Sequence, residues 1–496
     1  MAITNANFNA NDYVRSSGKR LITCSSDKIG TTNVFNYRFY LELEIGEVGS
    51  TETFAYTFRP NANNYGIINI TKILQTVVKP IAVQQKRTIP QLGENVDDYF
   101  NEFQQNIHGM PYYVGNSNDE EFTNMAMYST GGSGGAMVQA TLYDFYSTTA
   151  TGVPTKQASG SATDKYYVLT GYDKQSDLIN VNYTQYKLGT PSKEFLSHNH
   201  DPITGFIQSV NCLSTDYGTV AFLNRTKDVN ASSQASPYAI KISYYSNNGI
   251  LGATTLLNTD ANGGALFSGA GTGAEDGKML LHCAVYPANL DRLPATLGSL
   301  TFVRPKDFTN LAYYEVQAIA STGAGDSKVY KFTIQDDTQC LKYDKQRFAY
   351  INDLGVYEYI NFFELRTDNI SSNNTTINSS VFKYNDSYLL GNSNDRYKER
   401  PYTPFVAHQG ERTISTDFKE TFTINTGNLS DVDIVKVKEM FLSPLIHYIN
   451  ADGSARAVIL ESSSIEDINN LNKHYTQQNY TLTFRYSVPT YNNIIY

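Results

Sequence analysis

The stretch VFNYRFYLELEI, Val34 to Ile45, decides the fold. Phe35, Tyr37, Phe39, Leu41, Leu43 and Ile45 fall on one side, and Asn36, Arg38, Glu42 and Glu44 on the other. Alternation at period two over so long a span marks a strand with one buried face. Thr53 to Phe58 repeats the pattern through Phe54, Tyr56 and Phe58. Asn69 can then cap a helix, with Ile70, Ile73, Leu74, Val77 and Val78 at helical spacing until Pro80 stops the run. Two long strands followed by one short amphipathic helix predict a β-sandwich whose open end is plugged by the helix.

Outward from there the chain keeps reading as strands. Residues Gly115 to Thr163 are looser, with the glycine run Gly131 to Gly135 and the small-residue stretch Gln157 to Thr163. They read as exposed loops flanking a strand at Val138 to Tyr146. Further strands are predicted at Tyr166 to Leu169, Tyr217 to Leu223, Tyr238 to Tyr244, Met279 to Tyr286, Tyr313 to Ala320 and Val329 to Ile334. Ser246-Asn247-Asn248-Gly249 supplies a hairpin signal. Arg347 to Phe363 reads as two strands joined at Asn352-Asp353-Leu354-Gly355. Ser430 and Asp433 resemble a capping box that opens a helix with Ile434, Val437 and Phe441 inward, closed by Pro444. A hairpin at Ala451-Asp452-Gly453 and a last strand through Tyr480, Leu482, Phe484, Tyr486 and Val488 complete the chain. Asn258 to Lys278 and Thr367 to Ser380 read as long polar loops. The prediction is a mainly β, multi-domain protein of antiparallel β-sandwiches with a few short helices. Its domains are placed at residues 1–230, 231–345 and 346–496.

Composition agrees and narrows the function classes. The 496 residues include 38 Tyr, 25 Phe, 46 Asn and no Trp, a mixture that favours strands and exposed turns. With 41% apolar residues the chain can build ordinary cores, so disorder throughout is excluded. No run of 18 apolar residues is present, and membrane insertion is not expected. The start MAITNANFNANDYV has neither a basic segment nor an apolar core, so no secretory signal is expected. Net charge is −9 without a basic cluster, which argues against sequence-specific nucleic-acid binding. Cys24, Cys212, Cys283 and Cys340 contain no CxxC pair and read as buried thiols.

The chemistry-bearing candidates are few. His198 and His200, beside Asp201, would project to one face of an extended segment, as metal ligands do; no spacing marks a third or fourth ligand, and a polar turn running into Pro202 is the better reading. Gly269, Gly271, Gly273 and Gly277-Lys278 invite a phosphate-loop reading, but Thr272 stands where the first glycine belongs and Met279 where the hydroxyl belongs. No G-x-S-x-G is present, and the acid pairs Asp97-Asp98 and Glu120-Glu121 read as a solvated surface. The N-x-S/T triplets at Asn182 and Asn374 fit chance in an Asn-rich chain. No catalytic, cofactor or metal residue is assigned, and no enzymatic activity or cofactor is expected.

Several segments, in order, resemble a family of virion structural proteins from tailed bacteriophages of Bacteroidota, crAss-like phages included. The matching blocks are Asn36 to Glu44 with Asn64-Tyr65-Gly66-Ile67-Ile68-Asn69-Ile70-Thr71-Lys72-Ile73-Leu74-Gln75; Lys193 to Ser197 with Tyr217 to Asn224; Cys340 to Tyr343 with Phe348 to Phe362; and Thr421 through Leu442-Ser443-Pro444 to the closing strand. Family members often carry Trp near Val432 to Glu439, and this chain has none. The resemblance implies a structural role in the tail, neck or baseplate of a virion. Its expected partners are copies of itself in a homo-oligomeric ring and other tail or neck proteins. The alternative reading is a receptor-recognition or fibre-attachment module whose tyrosines stack on host-surface glycan.

Overall fold

The computed structural model describes residues 2–5, 13–18, 20–47, 50–78, 135–163, 166–172, 183–197, 209–223, 237–257, 280–291, 293, 296–297, 300–335, 343–378, 411–451, 455–462, 479–487 and 494–495. Within them the protein is mainly β, with several antiparallel sheets and few short helices. The sheets fall into three groups along the chain.

The first group is a sandwich. One layer is the antiparallel trio β1 (Ala2–Asn5), β3 (Leu21–Ser25) and β6 (Tyr65–Asn69). The other runs β2 (Tyr13–Ser17), β9 (Tyr166–Tyr172), β7 (Gly135–Ser147), β4 (Phe35–Glu47) and β5 (Ser50–Phe58), with β8 (Thr155–Ala162) also beside β7. The alternation read from β4 holds from Phe39 onward, where Phe39, Leu41, Leu43 and Ile45 are buried against Ile22, Cys24, Val138 and Leu142. At its start it fails, for Phe35 is 37% exposed and the pairing with β7 shifts register between Phe35 and Arg38. The layers approach closely where Gly66 crosses Phe39, whose ring would lie 2.6 Å from an added Cβ. Helix α1 (Thr71–Val77) seals this core with Ile70 and Leu74, while the Asn69 side chain accepts the Thr71 N–H at 3.0 Å. One expectation is corrected. Gln157 to Thr163 was expected as a loop, yet most of it lies in β8, which pairs with β7 and leaves its small polar side chains largely exposed. Gly160 lies against the Tyr143 ring, where a Cβ would come within 2.5 Å, so the absence of a side chain is what permits this pairing.

The second group centres on β10 (Val210–Cys212), β12 (Ala239–Ser246), β13 (Gly249–Leu257), β17 (Tyr313–Ile319) and β18 (Tyr330–Ile334), in sheet order β10-β18-β17-β12-β13. The hairpin read at 246–249 joins β12 to β13. A separate pair, β11 (Thr219–Leu223) and β14 (Leu280–Ala284), leads into the short helix α2 (Pro287–Leu290). Two-residue strands β15 (Thr296–Leu297) and β16 (Leu300–Thr301) pair beyond it. Ile240, Ile242, Val316, Tyr314 and Phe332 meet Val220, Phe222, Cys283 and Tyr286 in one core.

The third group is one large sheet, β20 (Tyr357–Phe362), β19 (Gln346–Ile351), β23 (Ile446–Ile449), β24 (Ala455–Leu460), β25 (Thr481–Tyr486), β22 (Glu411–Asn425) and β21 (Arg366–Asn378), with β26 (Ile494–Ile495) also on β22. Alternation sends β19 and β20 into two cores. Ala349, Ile351, Tyr357 and Tyr359 join the core of the second group, and Phe348, Tyr350, Ile360 and Phe362 join Phe422, Phe484 and helix α3 (Asp431–Leu442). Ser430 is the N-cap as read: its Oγ accepts the Asp433 N–H at 3.2 Å and donates to the Asp433 carboxylate at 2.7 Å, in place of the reciprocal backbone bond of a full capping box. Thr367 to Ser380 is the second correction, because 367–378 belongs to strand β21 and pairs with β22 throughout.

Phe348 is the hub of the third core, with the Phe362, Phe422, Tyr448 and Phe484 rings 4.7–6.4 Å from its centroid. Phe348→Ala is expected to cost about 3–5 kcal/mol in denaturant unfolding. A cost below about 1 kcal/mol would contradict this packing.

Candidate functional site

The feature that sequence left open is where the β19–β20 turn goes. Hairpin turns usually face water, but here Asn352, Asp353, Leu354 and Val356 are buried where the three groups meet. The turn is self-braced, since Asn352 Oδ1 accepts the N–H groups of Leu354 at 3.0 Å and Val356 at 3.1 Å. Gly355 takes φ of +86°, a conformation that favours glycine.

The first group grips this tip through its own backbone. Tyr172 N–H donates to the Asp353 carbonyl at 3.0 Å, and the Thr170 hydroxyl donates to the Gly355 carbonyl at 3.3 Å. Gly171 makes that approach possible, because a Cβ there would lie 2.1 Å from the Asp353 carbonyl oxygen. Arg15, also buried, reaches the Asp353 carboxylate at 3.2 Å and the Tyr172 carbonyl at 2.8 Å. From the other side Asn352 Nδ2 donates to the Leu196 carbonyl at 3.1 Å. Tyr13, Tyr167, Tyr183 and Tyr186 pack in the apolar cluster that holds Leu354 and Val356. A buried ion pair survives desolvation only when further hydrogen bonds complete it, and this one has them.

A second buried carboxylate ties the hairpin to the second group. Asp216 accepts from Lys345 at 2.6 Å, Asn361 at 2.8 Å and the Leu213 N–H at 3.0 Å, and forms an ion pair with Arg347 at 3.2 Å. Burial alone would raise its pKa, but Arg347 and Lys345 outweigh that and hold it below the usual value. Arg347 also lies over the Tyr286 and Tyr359 rings at 4.7 and 5.0 Å. Glu194 adds an ion pair with Lys328 at 2.5 Å.

Beside these staples sit two histidines, His282 of β14 and His447 of β23, each against Tyr357, with ring centroids 6.0 and 5.8 Å away. Both are buried, and neither Nδ1 has a hydrogen-bond partner among the described residues. Burial pushes both pKa values down to about 4.

His198, His200 and Asp201 lie outside the described residues, as do Gly269 to Lys278, Asp97-Asp98, Glu120-Glu121, Asn182 and Cys340. Among the described residues no group of three or more His, Cys, Asp or Glu is arranged to hold a metal ion. Cys24, Cys212 and Cys283 are buried free thiols, and Asn374 is exposed on β21. Sequence reading passed over Arg15, Asp216, Arg347 and Asp353. The signal for Arg15 and Arg347 was a charged residue inside an otherwise buried strand; for Asp216 and Asp353, ordinary turn composition gave none.

No protein-family model matches the chain, and no curated protein matches it. Among solved structures, native Escherichia coli alpha-2-macroglobulin aligns at 8% identity and a TM-score of 0.18, covering 68% of this chain and 16% of that one. A methylamine-reacted Salmonella alpha-2-macroglobulin aligns at 8% identity and a TM-score of 0.18, covering 73% of this chain and 20% of that one. The chain thus spans a fifth or less of those proteins, and so slight a likeness carries no argument.

The histidines give a pH dependence of defined sign. An imidazole with a lower pKa folded than unfolded binds protons preferentially in the unfolded chain, so acid favours unfolding. Its contribution is complete above the unfolded value of 6.5 and is lost as pH falls through about 4. Each histidine should therefore remove about 2 kcal/mol between pH 6.5 and 5. Denaturant titrations of the wild type and of His282→Phe/His447→Phe check this: the double variant should show a distinctly flatter profile, and equal slopes would contradict the assignment.

Proposed function

We propose that the chain is a structural component of a tailed-phage virion, a tail, neck or baseplate protein that assembles as a symmetric ring with copies of itself and contacts other virion proteins. The observation that carries this reading is the buried joint. Arg15, Asp353, Asp216 and Arg347 fasten the first and second groups to one hairpin of the third, and a subunit that passes mechanical load between neighbours needs its parts fixed to one another. The blocks quoted above for the phage family run through the joint itself, at Lys193 to Ser197, Tyr217 to Leu223 and Phe348 to Phe362. Ring closure needs only one modest contact repeated around an axis.

One observation favours the alternative, a glycan-recognition module. On the outer face of the second group's sheet the Tyr245 and Tyr313 rings are stacked 4.9 Å apart and 8° from coplanar. Lys331 Nζ lies 3.9 Å from the Tyr313 centroid. Such a platform suits a sugar ring.

Negative-stain imaging of the recombinant chain, with its mass measured in solution, separates the two. Closed rings of uniform subunit number are the expected result. A monomer that binds host-surface polysaccharide, and loses it on Tyr245→Ala/Tyr313→Ala, would replace the structural reading with the recognition one.

A further inference from the structure

Strand β21 is an edge without the usual protection. It pairs with β22 along its whole length, and among the described residues it has no partner on its other side. The β25 strand supports β22 only over Thr421 to Asn425, so from Ile370 outward the two strands form a ribbon that β25 does not reach. Nine residues of strand give this ribbon a length of about 30 Å. Thr367 to Ile377 are exposed without interruption, including Ile370 at 64% and Ile377 at 47%.

Proteins guard long edges with charge, proline or a bulge on the outer strand. Here the arrangement is inverted. Asn369 to Asn378, NISSNNTTIN, contains no charge, no proline and no glycine, whereas its inner neighbour carries Glu411, Arg412, Asp417, Lys419 and Glu420. The bulge is on the inner strand too, since Thr375 and Thr376 face Ser415 and Thr413 with Ile414 extra. The outer strand is left regular, neutral and rich in Thr, Ser and Asn, fit to accept another strand.

We propose that this edge pairs with the β21 edge of a second copy, antiparallel about a two-fold axis at Asn373 or Asn374. This deepens the self-assembly part of the function proposed above and rests on it. Charge selects the occupant. Each chain carries a net −9, so two copies repel over much of their surfaces, but this edge meets its own image with no like charges opposed. A two-fold axis normal to the sheet keeps each residue on its own face, so registers centred at 373 or 374 bring Ser and Thr opposite Thr, Asn, Ser or Ile. An acidic or basic partner strand would gain nothing from so neutral an edge.

The test uses the full chain, with sedimentation to read mass, and the single variants Asn373→Cys and Asn374→Cys. Residues paired across a two-fold lie about 4.5–5.5 Å apart at Cα, within reach of a disulfide. Mild oxidation should convert one of the two variants to a covalent dimer, with the wild type unchanged. Ser372→Lys/Asn374→Lys, which sets lysines against lysines in both registers, should lower the assembled mass at least two-fold with unchanged circular dichroism. Self-association that survives the lysines, with neither cysteine variant cross-linking, would overturn the edge pairing and leave self-assembly standing. A wild type that stays monomeric at every concentration, or pairs only with another virion protein, would overturn both.

Discussion

The ion pair between Arg15 and Asp353 is the constraint on which the rest of the structure depends. It places a charged hairpin tip where ordinary turns do not go, and every neighbour is arranged to make that tolerable. Gly171 removes the side chain that would block the tip, Asn352 satisfies the backbone of the turn, and Tyr172 and Thr170 donate to its carbonyls. Removing one partner of such a pair strands the other charge without water. The desolvation cost that makes a buried ion pair a poor source of net stability therefore makes it an effective lock, since a misplaced tip would leave Asp353 unpaired.

Polarity is distributed in the same way throughout the joint. Asp216 has four partners, drawn from the loop before β11 and from β19, β20 and their approach, so the second group cannot slide along the hairpin without exposing a carboxylate. The two imidazoles near Tyr357 differ, being buried with an Nδ1 that has no hydrogen-bond partner among the described residues, and burial lowers their pKa values. They fill space as neutral rings and become a liability only when protonated. Neutral apolar contact and paired charge thus share one interface, with Arg347 lying over the Tyr286 and Tyr359 rings.

How much of this the sequence disclosed follows from range. The face of β4, the cap at Ser430 and the turns at 246–249 and 352–355 were legible because alternation, capping and turn chemistry act within a few residues. The β8 and β21 strands were misread because small and polar residues signal loops by composition, whereas partners distant in the chain made them strands: β8 through the Gly160–Tyr143 fit and β21 through its full pairing with β22. The joint was illegible for the same reason at greater range. Nothing near Asp353 announces an arginine 338 positions earlier in the chain, and nothing in an N-D-L-G turn distinguishes a buried tip from an exposed one.

Calorimetry of the wild type beside Asp353→Asn tests the joint most directly. If the ion pair and its hydrogen bonds fasten the three groups, the wild type unfolds in one transition whose calorimetric and van't Hoff enthalpies agree. The variant should then lose about 3–5 kcal/mol and resolve into separate transitions. A wild type that already melts in separate steps, with Asp353→Asn leaving each of them in place, would contradict it.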